Sequence, residues 1–368
     1  MRAMREGEEM LNFTVGPVMS SESVRAIGAE NVPYFRTAEF SAIMLENEAL
    51  MKKFANSGED SRVIFLTGSG TASLEAMIIN LFDERDKVLV VDGGSFGHRL
   101  VELLELYKIE HTIIVPPQGK SIGKEELAPY EGQGYTGFLV NLHETSVGIL
   151  YDIDLISDFC QRNHIFLLVD AISAFLTDPI DMQRSKIGVM CTGSQKALAC
   201  PPGVSIVILS KEALDRLEQY PVRCMYLDFR DALKNGERGQ TPFTPAVGTL
   251  LQIHQRLLEI EAAGGVAEEN RRSKELAEYF RGRLKEENLP FEIASEDMAN
   301  AMTPLHPTTA SANDIFLILK DEYGIWVCPN GGALKDKLFR VGHMGALGRA
   351  EYDALIDAFK DLQRRGII

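Results

Sequence analysis

The feature that most constrains this chain is an alternation repeated between residues 62 and 209. A short β-branched run at 62–66 (RVIFL) leads into a glycine turn at 67–71 (TGSGT). Residues 72–82 then carry Leu74, Met77, Ile78 and Leu81 at helical spacing. The pattern recurs with a run at 88–91, a turn at 92–97 and a helix at 98–107, and further apolar runs stand at 112–115, 137–142, 165–169, 187–191 and 204–209. A helix at 155–163 precedes the third of these. Continuous apolar strands separated by amphipathic helices predict an α/β fold, with a mostly parallel sheet of seven strands covered on both faces.

Outside this block the sequence reads more simply. Residues 1–11 are expected to be a solvated N-terminal extension, 12–265 a large domain and 266–368 a small C-terminal α+β domain, because 368 residues exceed one typical core. Gly264-Gly265 ends a long helix at the boundary. Beyond it come a helix at 266–287, a strand at 291–294, a helix at 313–323, strands at 325–328 and 338–341, and a last helix at 349–365. The stretch 221–245, with two glycines and three prolines, reads as polar and turn-rich. A helix at 39–54 buries Phe40, Ile43, Met44, Leu50 and Phe54 on one face. A net charge of -15 argues against nucleic acid or an anionic membrane as the main partner. Five cysteines without a CxxC pair indicate neither a disulfide framework nor a metal site, and fit a reducing cytoplasm. No segment reads as a signal peptide or a membrane span.

Three places carry candidate chemistry. Lys196 lies in MCTGSQKALACPPGVS (190–205), between two apolar runs and beside a Pro-Pro-Gly turn, among the small residues Thr192, Gly193, Ser194, Ala197 and Ala199. It reads either as a lysine poised to form a Schiff base with an aldehyde cofactor or as a partly buried lysine at a strand end. The turn Ser69-Gly70-Thr71, at a strand-to-helix junction, offers free N–H groups and hydroxyls to a phosphate. It reads equally as a tight turn with a helix cap, and it completes neither a dinucleotide fingerprint nor a P-loop. Asp170 ends the run HIFLLVD, so its carboxylate falls at the carboxyl edge of the sheet, where α/β folds bind ligands. A buried carboxylate needs a cationic partner, and a protonated pyridine nitrogen is one.

The ordered set of motifs, and above all Gly193-Ser194-Gln195-Lys196-Ala197-Leu198 followed by Pro201-Pro202-Gly203, resembles the class V pyridoxal-phosphate-dependent aminotransferases, of the alanine or serine–glyoxylate/pyruvate and 2-aminoethylphosphonate type. The resemblance spans about residues 12–345. It implies a fold type I transferase with pyridoxal 5'-phosphate as cofactor. It implies Lys196 as the Schiff-base lysine and Asp170 as the partner of the ring nitrogen. It assigns Ser69, Gly70, Thr71 and Gln195 to the phosphate, Phe96 to stacking on the ring and Thr145 to the ring oxygen. Arg340 becomes the clamp on a substrate carboxylate, with Gly16 beside the substrate, and Thr244 a phosphate contact given by a neighbouring subunit, so a homodimer is implied. The small-molecule partners implied are an amino donor (alanine, serine or 2-aminoethylphosphonate) and a 2-oxo acid acceptor such as pyruvate or glyoxylate.

Val15-Gly16-Pro17 stands where relatives commonly show Pro-Gly-Pro, and Thr241 where some carry a tyrosine; both departures concern the substrate rather than the cofactor. Three other readings compete with it: a lyase or desulfurase on the same fold, a nucleotide-binding oxidoreductase using the TGSGT turn, and a non-catalytic pyridoxal-phosphate-binding protein. A desulfurase places histidine before the lysine, where this chain has Gln195. His98-Arg99 reads as a solvated helix turn, His111, His164 and His254 as surface or packing residues, and the helix at 266–287 as a solvated charged face.

Overall fold

The computed structural model describes residues 10–117 and 119–368; most of the expected N-terminal extension therefore lies outside the described residues. In chain order the elements that build the fold are β1 (Leu11–Phe13), α1 (Glu22–Ala29), α2 (Ala38–Ala55), β2 (Arg62–Thr67), α3 (Gly70–Leu81), β3 (Lys87–Val91), α4 (Ser95–Leu106), β4 (Glu110–Ile114), β5 (Gly137–Asn141), α5 (Ile153–Asn163), β6 (Phe166–Asp170), β7 (Val189–Gly193) and β8 (Val204–Leu209). After these come α6 (Lys211–Leu217), α7 (Phe229–Gly236), α8 (Val247–Ala263), α9 (Val266–Glu286), β9 (Phe291–Ile293), β10 (Met302–Pro307), α10 (Ala312–Ile318), β11 (Ile325–Pro329), β12 (Phe339–Gly342) and α11 (Arg349–Arg364).

The larger sheet has seven strands in the order β2-β8-β7-β6-β5-β3-β4. Only β8 runs against its neighbours, pairing antiparallel with both β2 and β7, while the other pairs are parallel. Every residue of β5, β6, β7 and β8 is buried, because helices cover both faces and no position is left to alternate toward water. Two apolar clusters result, one on each face of this sheet. Shared strand direction has one consequence for chemistry. The C-terminal ends of β2, β3, β5, β6 and β7, and so Thr67, Val91, Asn141, Asp170 and Gly193, come to the same edge.

The smaller sheet has five strands, ordered β1-β11-β12-β10-β9, and its own core includes Phe280, Phe339, Tyr352 and Phe359. Three details differ from expectation. β10 has no counterpart among the expected strands; its Pro304 and Pro307 cannot donate to a ladder, yet it pairs with both β9 and β12. The turn-rich stretch 221–245 contains the helix α7, started by Asp228, whose carboxylate accepts from Arg230 N, and anchored by the buried Phe229. β1 joins the smaller sheet beside β11, in parallel register Leu11 to Ile325, although it lies some 300 residues away in sequence. Among the described residues no helix is long and apolar enough to cross a membrane.

Candidate active site

The hairpin between β7 and β8 is closed by the segment that carries Lys196. Ser194 Oγ donates to Pro201 O at 2.7 Å, and Cys200 N to Ser194 O at 2.9 Å, so the loop is tied to itself at its base. Lys196 is only 7% exposed, and its amine donates to Val15 O at 2.5 Å. Gly16 follows with φ +124°, and a Cβ there would stand 2.7 Å from Lys196 Cδ. A glycine at that turn therefore lets the N-terminal segment lie directly across the lysine stem. Burial pulls the Lys196 amine down to about 8; Arg340 acts in the same direction, while Cys328 and Asp170 act against it.

Asp170 is 1% exposed at the end of β6, opposite Cys191 of β7. Its carboxylate accepts from Asn141 Nδ2 at 2.8 Å and from Ile172 N at 2.9 Å, and burial raises it to about 6 in spite of those bonds. Among the described residues neither ring nitrogen of His143, 1% exposed, has a hydrogen-bond partner of good geometry. Burial and the charge of Lys196 push it down to about 3, so it is a neutral ring.

Arg340 projects from β12 of the smaller sheet, with Cys328 and Pro304 as its partners across the neighbouring strands. It is 8% exposed. Nη1 donates to Thr145 O at 3.0 Å and Nη2 to Pro329 O at 2.7 Å, which leaves Nε without a partner. The Thr145 carbonyl thus fixes the guanidinium of the smaller sheet against the segment that follows β5. Neighbouring Ser146 repeats the link, its carbonyl accepting from Asn330 Nδ2 at 3.3 Å.

The phosphate-seat candidates form the first turn of α3. Ser69 occupies the N-cap position but its side chain caps nothing, so the first N–H groups of the helix keep their donor capacity. A Cβ at Gly70 would run into Ile172 Cδ1. Gln195 lies next to Lys196, close against Gly193. Thr244 is exposed and lines a groove with Phe65, Thr67, Tyr226 and Phe243.

Glu144 was not singled out in the sequence. Its carboxylate, 1% exposed, accepts from Gly97 N at 2.8 Å, Phe96 N at 3.2 Å, Ser146 N at 3.1 Å and Ser146 Oγ at 2.5 Å. It caps α4 from a segment 47 residues away and so fixes the bearing of Phe96. Glu144→Ala strips four donors of their acceptor, and we expect a loss of about 2 kcal/mol or more, read as a lower urea midpoint. A midpoint within error of the parent would mean that this cap does not hold the helix.

These groups suit pyridoxal phosphate by their chemistry. A buried amine shifted toward neutrality can condense with an aldehyde. A buried carboxylate with no full cationic partner can take a protonated ring nitrogen, and an uncapped helix start with two hydroxyls can take a phosphate. Among the described residues no group of three or more His, Cys, Asp or Glu is arranged to hold a metal ion.

Comparison with known proteins agrees with this chemistry. The family model described as aminotransferase class-V matches residues 28–335. The 2-aminoethylphosphonate–pyruvate transaminase of Vibrio vulnificus (strain CMCP6) is 26% identical over 96% of this chain and 97% of its own length. A protein of Synechococcus sp. (strain PCC 6716) named as the small subunit of a soluble hydrogenase is 27% identical over 94% of this chain and 90% of its own. The alanine–glyoxylate aminotransferase of Nostoc sp. superimposes with a TM-score of 0.90 at 26% identity, covering 99% of this chain and 98% of that one. With a matching fold and a family model that spans most of its length, this chain belongs to the class V aminotransferases, enzymes that move amino groups with pyridoxal phosphate.

Proposed function

We propose that this enzyme moves the amino group of a small donor, alanine, serine or 2-aminoethylphosphonate, to a 2-oxo acid such as pyruvate or glyoxylate, with Lys196 as the residue that holds the cofactor and shuttles the proton. The observation that carries this reading is the position of the Lys196 amine, buried under Val15 and Gly16 and in electrostatic contact with both Asp170 and Arg340.

When bound, the cofactor supplies an aldehyde that condenses with amines and a ring that stores the electron pair left when the donor's α-proton departs. The chain does the rest. Lys196, as a free amine, would be the base that takes the proton from the donor's α-carbon and delivers it to the cofactor's aldehyde carbon, on the far side of the shared nitrogen. Asp170 keeps a positive charge on the ring nitrogen, which the surrounding apolar strands would otherwise disfavour. Phe96 would cover one face of the ring, Thr145 would serve the ring oxygen, and Ser69, Gly70, Thr71 and Gln195 would hold the phosphate. Arg340, already fixed by two carbonyls, would offer its remaining N–H groups to the donor's anionic group, and Gly16 would leave room for the donor beside Lys196.

The same reading makes the enzyme a cytoplasmic homodimer in which Thr244 reaches the neighbouring subunit's phosphate seat. Its support is the exposure of Thr244, with Met225 (79% exposed) and Tyr226 (50%) on the segment beside its groove. Sedimentation should give a mass of two chains; a monomer at working concentration would remove Thr244 from the site. Five free cysteines accord with a reducing compartment, which cell fractionation reads directly. The reading keeps 12–265 and 266–368 as large and small domains, with β1 lent from the N-terminal side to the smaller sheet.

A single-turnover screen tests the donor. The loaded enzyme is mixed with each amine in the absence of acceptor, and conversion of the cofactor to its amine form is followed by absorbance. At least one of the three donors should convert it, and Arg340→Ala should raise the concentration needed by about a hundredfold while leaving cofactor content unchanged. Conversion by none of them, or an Arg340→Ala variant with unaltered donor dependence, would contradict the assignment.

A further inference from the structure

Residues 98 and 99 were expected to form a solvated helix turn, and His98 fits that description. It is largely exposed and pairs with Asp92 at 2.9 Å. Arg99 does not. It is half-buried, and its guanidinium lies over the Phe96 ring at 5.4 Å and donates from Nη1 to Thr71 Oγ1 at 3.4 Å, spanning 28 residues from α4 back to the first turn of α3. Those are its only polar or ring partners among the described residues; no carboxylate pairs with it. Half-buried Arg62, Arg216 and Arg256 pair with the carboxylates of Glu48, Asp86 and Glu269, and half-buried Arg230, Arg272 and Arg281 each donate to at least two backbone carbonyls; among the described residues Arg99 has neither kind of partner.

The two helix starts nearby differ in the same sense. α4 begins against a carboxylate of the chain, Glu144. α3 begins with no side-chain cap, and the cation of Arg99 leans toward it. A guanidinium near the positive end of a helix dipole is unfavourable unless an anion lies between them. The free N–H groups of α3, the hydroxyls of Ser69 and Thr71 and the guanidinium of Arg99 therefore describe one seat with its negative charge still to come. We propose that Arg99 is the cationic part of the cofactor's phosphate seat, contributed by the same subunit, and that it acts by holding Thr71 and by balancing the charge of the phosphate dianion. This inference rests on the reading that places the phosphate at residues 69–71.

The test compares two ligands on cofactor-free protein: pyridoxal phosphate, and pyridoxal, which lacks the phosphate. Arg99→Gln should weaken binding of pyridoxal phosphate by about 10- to 100-fold and leave pyridoxal nearly unchanged, and Arg99→Lys should recover part of the loss. Equal weakening of both ligands, or an unchanged ratio between them, would overturn the role of Arg99. Thr71→Val separates the two layers of the argument. If it lowers the ratio while Arg99→Gln does not, only the inference about Arg99 fails; if neither lowers it, the phosphate does not sit at this turn.

Discussion

Replacing Lys196 by alanine is expected to abolish covalent capture of pyridoxal phosphate and to lower amino transfer by about a thousandfold or more. The size of the effect follows from the environment of the amine. With its acidity shifted to about 8, roughly a tenth of the amine is neutral at pH 7, against fewer than about one in a thousand for an ordinary lysine. Among the described residues no other lysine is buried to a comparable degree. The rate at which cofactor-free protein captures the aldehyde should therefore rise with pH and level off above about 8. The sign for stability runs the same way. Because the folded-state value is depressed below that of the unfolded chain, burial of the charged amine costs stability at neutral pH. That cost is relieved as pH climbs from about 8 toward 10.5. Lys196→Ala removes the cost, so the cofactor-free variant should be no less stable than its parent at pH 7. A variant that still transfers amino groups at the parental rate would end the assignment.

Asp170→Asn should separate activity from stability. Asparagine preserves the shape and still accepts from Ile172 N, but it carries no charge to face a ring cation. Loss of one preorganised charge at a reacting system costs about a hundred- to a thousandfold in rate. Stability should move the other way. The folded-state value of Asp170 is raised to about 6 from 3.8, so the contribution of this group is greatest below pH 3.8 and is lost as pH rises through about 6. At pH 7 the cofactor-free protein carries an ionised, desolvated carboxylate, and its replacement by asparagine should leave thermal stability equal or improved. Cofactor retention by the parent should also weaken as pH falls below about 6, where Asp170 gains a proton. A variant that loses activity and stability together would point to a packing role alone.

Much of this was legible in the sequence because the relevant signals are local. The runs that became β5 to β8 are continuous and apolar since both faces of that sheet are covered, and their ends locate Asp170 and the Lys196 hairpin. The TGSGT turn announces a helix start through its own glycines. What was missed depends on partners distant in the chain. Glu144 looks like any acidic residue until α4 folds against it and presents two N–H groups. Arg99 at a helix start reads as solvated, and only the approach of α4 to α3 gives it Thr71. β10 was hidden by its prolines, and the pairing of β1 with β11 joins segments from opposite ends of the sequence.

The N-terminal segment shows why such distant pairings matter to the site. β1 is held in the smaller sheet, and the chain then crosses at Val15-Gly16 to cover Lys196 in the larger one. Arg340 makes the reciprocal crossing, from the smaller sheet to the carbonyl of Thr145. Two strands of the smaller sheet thus bring the Val15 carbonyl and the Arg340 guanidinium up to the edge of the larger sheet that carries Lys196 and Asp170, and the substrate is expected to lie where they meet.

The central claim is that Lys196 is the residue to which pyridoxal phosphate attaches. Borohydride reduction of the loaded enzyme, followed by proteolysis and mass mapping, tests it without reference to any substrate. The expected result is one pyridoxyl-phosphate adduct per chain, on the peptide that contains Lys196. An adduct confined to another lysine, or a fully loaded enzyme that yields no adduct, would contradict it.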